Sequence, residues 1–122
     1  MKRLIDVLKA LGEENRFRIV MMLRERPLCV CEVCAVLDIS LSTVSTHLRQ
    51  LTQAGILQSE KDGRWVIYRL SDVPFVRKLV EQLRREVTDD SSLERDLARI
   101  VEVSPASCAG LLKQNRKERV NR

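Results

Sequence analysis

Apolar residues recur at helical spacing along most of this chain and at strand-like spacing between residues 56 and 70. Leu4, Ile5, Leu8 and Leu11 predict a helix over residues 3–11, stopped by Gly12. Glu13 and Glu14 suit the positive end of a helix dipole and open a second helix carrying Phe17, Val20, Met21 and Leu23, which Pro27 ends. Residues 28–30 favour a β conformation, and a third helix follows to about residue 37. After a turn at residues 38–40, Ser40 or Ser42 can cap a fourth helix over 41–54, with Gly55 at its stop. Two short helices joined by a tight turn form the helix-turn-helix pattern. Residues 56–60 and 64–70 alternate like strands, and the Lys61-Asp62-Gly63 between them carries the Asp-Gly hairpin signal. A hairpin in that place is a wing. Pro74 lies in the first turn of a fifth helix with an apolar stripe of Val76, Leu79, Val80, Leu83 and Val87. Ser91 and Glu94 fit a capping box for a last helix reaching residue 101.

The expected fold is therefore mainly α with a small β-hairpin: a winged helix-turn-helix, used as a homodimer. Residues 1–87 make the DNA-binding and dimerisation domain. Residues 88–122 make a C-terminal extension with a short helix and a basic tail. Leu4, Leu8, Val76, Leu79, Val80 and Leu83 are expected to meet a second copy, although the stripe of the fifth helix could instead face the core. One Trp, one Tyr and two Phe leave the core to aliphatic residues, and a core this small gains from dimerisation.

Charge sharpens the picture locally rather than globally. The net charge is +5, but Lys113, Arg116, Lys117, Arg119 and Arg122 crowd the last ten residues with Glu118 as the sole acid there. Such a tail is commonly a solvated end. More informative is that no acidic residue falls between Asp38 and Glu60 in a chain that is 32% charged. That stretch holds the fourth helix. With Leu41, Val44, Leu48 and Leu51 facing inward, its outer face shows Ser42, Thr43, Ser45, Thr46, His47, Arg49 and Gln50. Short donors and acceptors with one base and no acid can approach phosphates and base edges of double-stranded DNA. Lys61 and Arg64 extend the same surface onto the wing. A solvated polar face is the ordinary alternative, and it would normally include acids.

Three of the four cysteines fall within Leu28-Cys29-Val30-Cys31-Glu32-Val33-Cys34. In extended chain, residues i and i+2 share a side; in a helix, i and i+3 do. A strand-to-helix change near Cys31 therefore turns Cys29, Cys31 and Cys34 the same way. One continuous helix would hold Cys29 and Cys31 roughly 200° apart. A helix start also lowers a thiol's pKa. Three sulfurs without a His or carboxylate cage favour a soft ion. Zinc wants a fourth ligand, whereas trivalent arsenic or antimony is content with three sulfurs and a lone pair. Small cysteines that merely fill a core are the bland alternative. No run of eighteen apolar residues exists to span a membrane, and the N-terminus lacks a signal-peptide apolar stretch. The expected setting is the cytoplasm, where thiols stay reduced. No nucleophile triad, phosphate loop or paired-carboxylate cleft suggests an enzyme, and no organic cofactor is implied.

The stretches Ala10-Leu11-Gly12-Glu13-Glu14-Asn15-Arg16-Phe17-Arg18-Ile19-Val20, Leu28 to Cys34, Ser45-Thr46-His47-Leu48-Arg49-Gln50-Leu51 and Ala54-Gly55-Ile56-Leu57 closely resemble the ArsR/SmtB family of metal-sensing winged-helix repressors. The resemblance covers roughly residues 1 to 87, and the cysteine run is similar to that of the arsenical-sensing branch. It implies a homodimer that sits on operator DNA and lets go when As(III) or Sb(III) binds. Other branches fit less well. No cysteine precedes Cys29, as a cadmium- and lead-sensing branch would have, and the last dimer helix lacks the His of a zinc-sensing branch. A redox branch pairs cysteines from separate helices, a role open to Cys108. Sensing of Cd(II), Pb(II), Zn(II) or oxidants is thus the rival within regulation. A winged-helix protein-interaction module without specific DNA binding is the rival from another class.

Overall fold

The computed structural model describes residues 1–107. Along them run α1 (Lys2–Leu11), α2 (Glu14–Glu25), β1 (Leu28–Cys29), α3 (Val30–Leu37), α4 (Leu41–Gln53), β2 (Leu57–Asp62), β3 (Trp65–Leu70), α5 (Pro74–Glu86) and α6 (Ser91–Glu102). The starts of α2, α4 and α6 are set by side-chain caps. Glu13 accepts from the Arg16 N–H ahead of α2, and Ser40 Oγ accepts from the Thr43 N–H ahead of α4. Asp90 caps α6 by accepting from the Leu93 N–H at 2.9 Å, so the cap lies one residue before the expected Ser91. The chain bends by 117° between α3 and α4, within the usual range for a helix-turn-helix. Asp38, at φ 55°, makes the left-handed turn that ends α3.

The wing is tighter than the sequence suggested. Lys61 and Asp62 belong to β2, and Asp62 pairs with Trp65, which leaves Gly63-Arg64 as a two-residue loop. Gly63 takes φ +60°, and glycine at the first central position is what a type II′ hairpin turn requires. The sheet also has a third strand. β1 pairs antiparallel with β3, Leu28 opposite Tyr68 and Cys29 opposite Ile67, in the order β1-β3-β2. The cysteine segment is thereby built into the wing sheet.

Leu28, Val33, Val36, Val44, Leu48, Leu51, Ile56 and the run Ile19 to Leu23 form the centre of an aliphatic core. Val76 and Val80 are buried in this same core, so within the stripe of α5 these two are occupied in their own protomer and are not available to a second copy; Leu79 and Leu83 are half-buried against it. Leu4, Ile5 and Leu8 of α1 remain exposed, with Phe75 at the start of α5. Leu4 and Phe75 line one apolar hollow of about 210 Å³. Helix α6 packs on α2 and α3. Arg18 holds it by two 2.7 Å bonds to Asp96, which is wholly buried, and Arg99 donates to the Val36 carbonyl. No single helix among the described residues is long and apolar enough to cross a membrane.

Candidate functional site

Cys29 ends β1 and is the N-cap of α3 in extended conformation, and Cys31 lies in the first turn of that helix. The change from strand to helix between them brings their sulfurs to 2.9 Å. Both are buried, and neither is in a disulfide. They form a small cluster of their own, enclosed by Ala35, Trp65, Ile67 and Val103. Cys34 packs in the main aliphatic core instead. The fold thus brings together two of the three expected sulfurs. No three His, Cys, Asp or Glu side chains among the described residues are grouped as an ion cage. Cys108 lies outside the described residues.

Glu32, only 1% exposed, anchors this segment. Its Oε1 accepts from the Cys29 N–H at 3.0 Å, and its Oε2 accepts from Arg26 Nη2 at 2.8 Å. The same Arg26 nitrogen reaches the carbonyls of Ile100 and Val103 at the end of α6. Cys31 Sγ points to the Pro105 carbonyl at 3.9 Å. Residues of the extension therefore form the outer wall of the cysteine cluster. Burial pushes the Cys29 thiol above its ordinary pKa, and the nearby Glu32 carboxylate adds to the rise; the lowering pull of Cys31 and of the Glu32 N–H does not overcome them. The lowered thiol pKa expected at a helix start is thus reversed by desolvation.

The donor chemistry fits a thiophilic ion. A metal–sulfur bond near 2.3 Å sets two sulfurs on one ion about 3.3–3.8 Å apart, for bond angles between square and tetrahedral. The pair need open by less than about 1 Å from its present separation to meet that spacing. Cys29 and Cys31 would hold the ion, and Cys34 lies one helical turn beyond Cys31, at the spacing that shares a helix side.

On α4, Ser42, Thr43, Thr46, Arg49 and Gln50 are exposed and Ser45 is half-buried. Thr46 Oγ1 donates to the Ser42 carbonyl, and Thr43 Oγ1 lies 2.8 Å from Ser40 Oγ. His47 departs from the expected outward face. It is turned towards α2, its Nδ1 3.4 Å from Arg16 Nη1 and its Nε2 3.8 Å from Glu13 Oε2. Burial alone would raise the Glu13 carboxyl, yet the N–H groups of Arg16 and Asn15 and the nearby His47 and Arg16 hold it below its ordinary value. Arg16 is the brace here. It donates to the Lys9 and Ala10 carbonyls at the end of α1 and, at 2.9 Å, to Gln50 Oε1. A guanidinium only donates, so it is the side-chain oxygen of Gln50 that faces Arg16. On the wing, Lys61 and Arg64 are exposed, and the Arg64 guanidinium sits 4.8 Å above the Trp65 ring.

Sequence reasoning missed Arg16, Trp65 and the Val103–Pro105 wall. Arg16 gave no periodic signal, and the other two matter only through contacts distant in sequence. Trp65, as the lone tryptophan beside the wing turn, was the one visible hint.

A helix-turn-helix with an acid-free exposed face and a flanking three-stranded wing defines a winged-helix DNA-binding regulator. Residues 13–59 match the family described as bacterial regulatory protein, arsR family. The arsenic resistance transcriptional regulator ArsR1 of Pseudomonas putida is 38% identical over 111 residues, 84% of this chain and 85% of that protein. The arsenical resistance operon repressor of Escherichia coli K12 is 39% identical over 99 residues, 78% of this chain and 85% of that one. The cadmium resistance transcriptional regulatory protein CadC of Listeria innocua is 39% identical over 66 residues, 53% and 56%. Among solved structures, HlyU from Vibrio cholerae superposes with a TM-score of 0.65 at 33% identity, covering 70% of this chain and 91% of that one. The chain belongs to the ArsR family of transcriptional repressors. Its relatives and its fold are those of DNA-binding regulators, which are not enzymes.

Proposed function

We propose that this protein is an As(III)- and Sb(III)-responsive repressor that binds operator DNA as a homodimer and dissociates when the metalloid is captured by Cys29, Cys31 and Cys34. The observation that carries the reading is the pair of buried thiols 2.9 Å apart at the N-cap of α3, one element before the recognition helix. Ser42, Thr43, Ser45, Thr46, Arg49 and Gln50 face the groove and its phosphates, with Lys61 and Arg64 on the wing. His47 serves α4 from behind, through Glu13 and Arg16. The exposed apolar residues of α1, Leu4 and Leu8 with Ile5, join Phe75 as the face offered to a second copy. Leu79 and Leu83 flank it.

Capture of arsenous acid balances without a net proton. Each thiol gives its proton to a leaving hydroxyl, an arsenic–sulfur bond replaces an arsenic–oxygen bond, and water departs. Cys34 must leave its place in the core to complete three sulfurs. That rearrangement lies inside α3, which packs directly on α4, and so bears on the recognition helix.

The test is a gel shift on the gene's own upstream region with and without arsenite. Arsenite should release the wild-type protein. Cys29→Ser and Cys31→Ser should bind the same DNA and stay on it. Release from those variants at the wild-type arsenite concentration removes the cysteines from the sensing role. A Cd(II) response is the second reading, favoured by the likeness to CadC; stronger release by Cd(II) than by arsenite at equal concentration would establish it.

A further inference from the structure

The cysteine pair and the wing share one small packed cluster. Cys29 is opposite Ile67 in the β1–β3 ladder. Trp65 and Ile67 are two residues apart on β3, so their side chains lie on one face of the sheet. Both pack against Cys29 and Cys31, with Ala35 and Val103 closing the remainder. The other side of the wing begins immediately. Arg64 is in the two-residue hairpin loop, and its guanidinium lies over the Trp65 ring at 4.8 Å. One indole therefore touches the thiol cluster and carries the wing's outermost arginine.

We propose that Trp65 couples the cysteine pair to the wing, so that ion capture by Cys29 and Cys31 displaces Arg64 from the DNA. The proposal rests on the sensing role of the cysteines given above and names the route by which that site is read. Close-packed interiors transmit small displacements rather than absorb them. Two sulfurs that open by up to about 1 Å to take an ion press on the side chains packed around them, the Trp65 indole among them. Ile67 is held in the middle of the ladder. Val103 is held by the bond from Arg26 to its carbonyl. Trp65 is half-exposed at the strand end, next to a loop turned by Gly63, and among these walls it is the one on which an arginine of the wing stacks. Arg64 moves with the ring on which it stacks. The recognition helix is contacted through α3, whereas the wing is contacted by the cysteine cluster directly.

The chain's single tryptophan makes the route visible without any substitution. Full-length protein is titrated with arsenite while Trp65 emission and the number of thiols open to a disulfide reagent are followed together. The expected result is an emission change that saturates with the loss of reactive thiols. Operator affinity is then measured with and without saturating arsenite, and the ratio of the two is the coupling. In the wild type it should lie in the ordinary allosteric range of about 5- to 150-fold. In Trp65→Leu, which keeps an apolar wall but no ring for Arg64, it should fall to about 3-fold or less, while arsenite still protects the thiols. A role of Trp65 in folding alone would lower thermal stability and leave the ratio unchanged. Thiol capture and DNA release with a silent Trp65, or an undiminished ratio in Trp65→Leu, overturns the proposal and leaves the cysteine reading standing. Thiols that arsenite never protects remove both. Should Trp65→Leu fail to fold, the wild-type emission alone decides.

Discussion

Replacing Glu32 tests how the cysteine segment is held. The carboxylate is buried and performs two tasks, accepting the Cys29 N–H at 3.0 Å and pairing with Arg26 at 2.8 Å. In Glu32→Ala the Cys29 N–H is left without its acceptor inside the protein, which costs about 1–3 kcal/mol. The Arg26 side chain is 38% exposed and keeps its bonds to the Ile100 and Val103 carbonyls. Solvent screening therefore limits the lost ion pair to about 1 kcal/mol or less. The total, about 1–4 kcal/mol, corresponds to a fall in Tm of about 4–16 °C for a domain of this size. Glu32→Gln keeps an oxygen for the Cys29 N–H and loses only the charge, so it should cost about 1 kcal/mol and about 4 °C. Thermal melts at one fixed protein concentration, since association makes Tm depend on it, separate the two. If the glutamine variant is as unstable as the alanine variant, the charge on Arg26 and not the N-cap bond holds the segment, and the reasoning is wrong. An alanine variant that loses less than about 0.5 kcal/mol refutes it as well.

Other outcomes follow from the same geometry. Arg18→Met leaves the Asp96 carboxylate buried and unpaired and should cost about 3–5 kcal/mol by urea unfolding, more than Asp96→Ala, whose Arg18 can turn towards solvent. The double variant Arg18→Met with Asp96→Leu should cost less than the two together, and strict additivity would show that the pair does not act as a unit. Because burial holds the Cys29 thiol above its ordinary pKa, the protein is protonated there at neutral pH. Cd(II) must displace those protons, so its affinity should rise as pH increases, by about tenfold per unit for each proton released, and level off above the raised pKa. Arsenous acid releases water instead, so its affinity should stay flat over the same range; calorimetry in two buffers reads the difference, and equal slopes for the two ions would contradict this account. Arg49→Ala, on the exposed face of α4, should weaken operator binding and reduce the salt dependence by about one unit per protomer. An unchanged slope would place Arg49 away from the phosphates.

The elements of this fold are legible because they rest on local rules. Gly12, Pro27, Gly55 and Pro74 interrupt the periodicity at the observed boundaries within a residue or two, and the aliphatic face of α4 is set by spacing alone. The strand-to-helix change that pairs Cys29 with Cys31 was also open to such reasoning, since i and i+2 converge only outside a continuous helix. Spacing could not tell which large neighbours would claim each side chain. Cys34 has the helical offset to join Cys31, yet the core formed by residues far along the chain takes it up. Val76 and Val80 read as an interface stripe until α2 is packed against α5. His47 reads as a groove contact until Glu13 and Arg16 draw it inward. The thiol pKa reverses for the same reason: a helix start is a local property, and burial is not. Periodicity and punctuation thus determined the helices, the wing and the cysteine turn. Tertiary structure alone decided what encloses the sulfurs, because Trp65, Val103 and Pro105 reach them only through long-range packing.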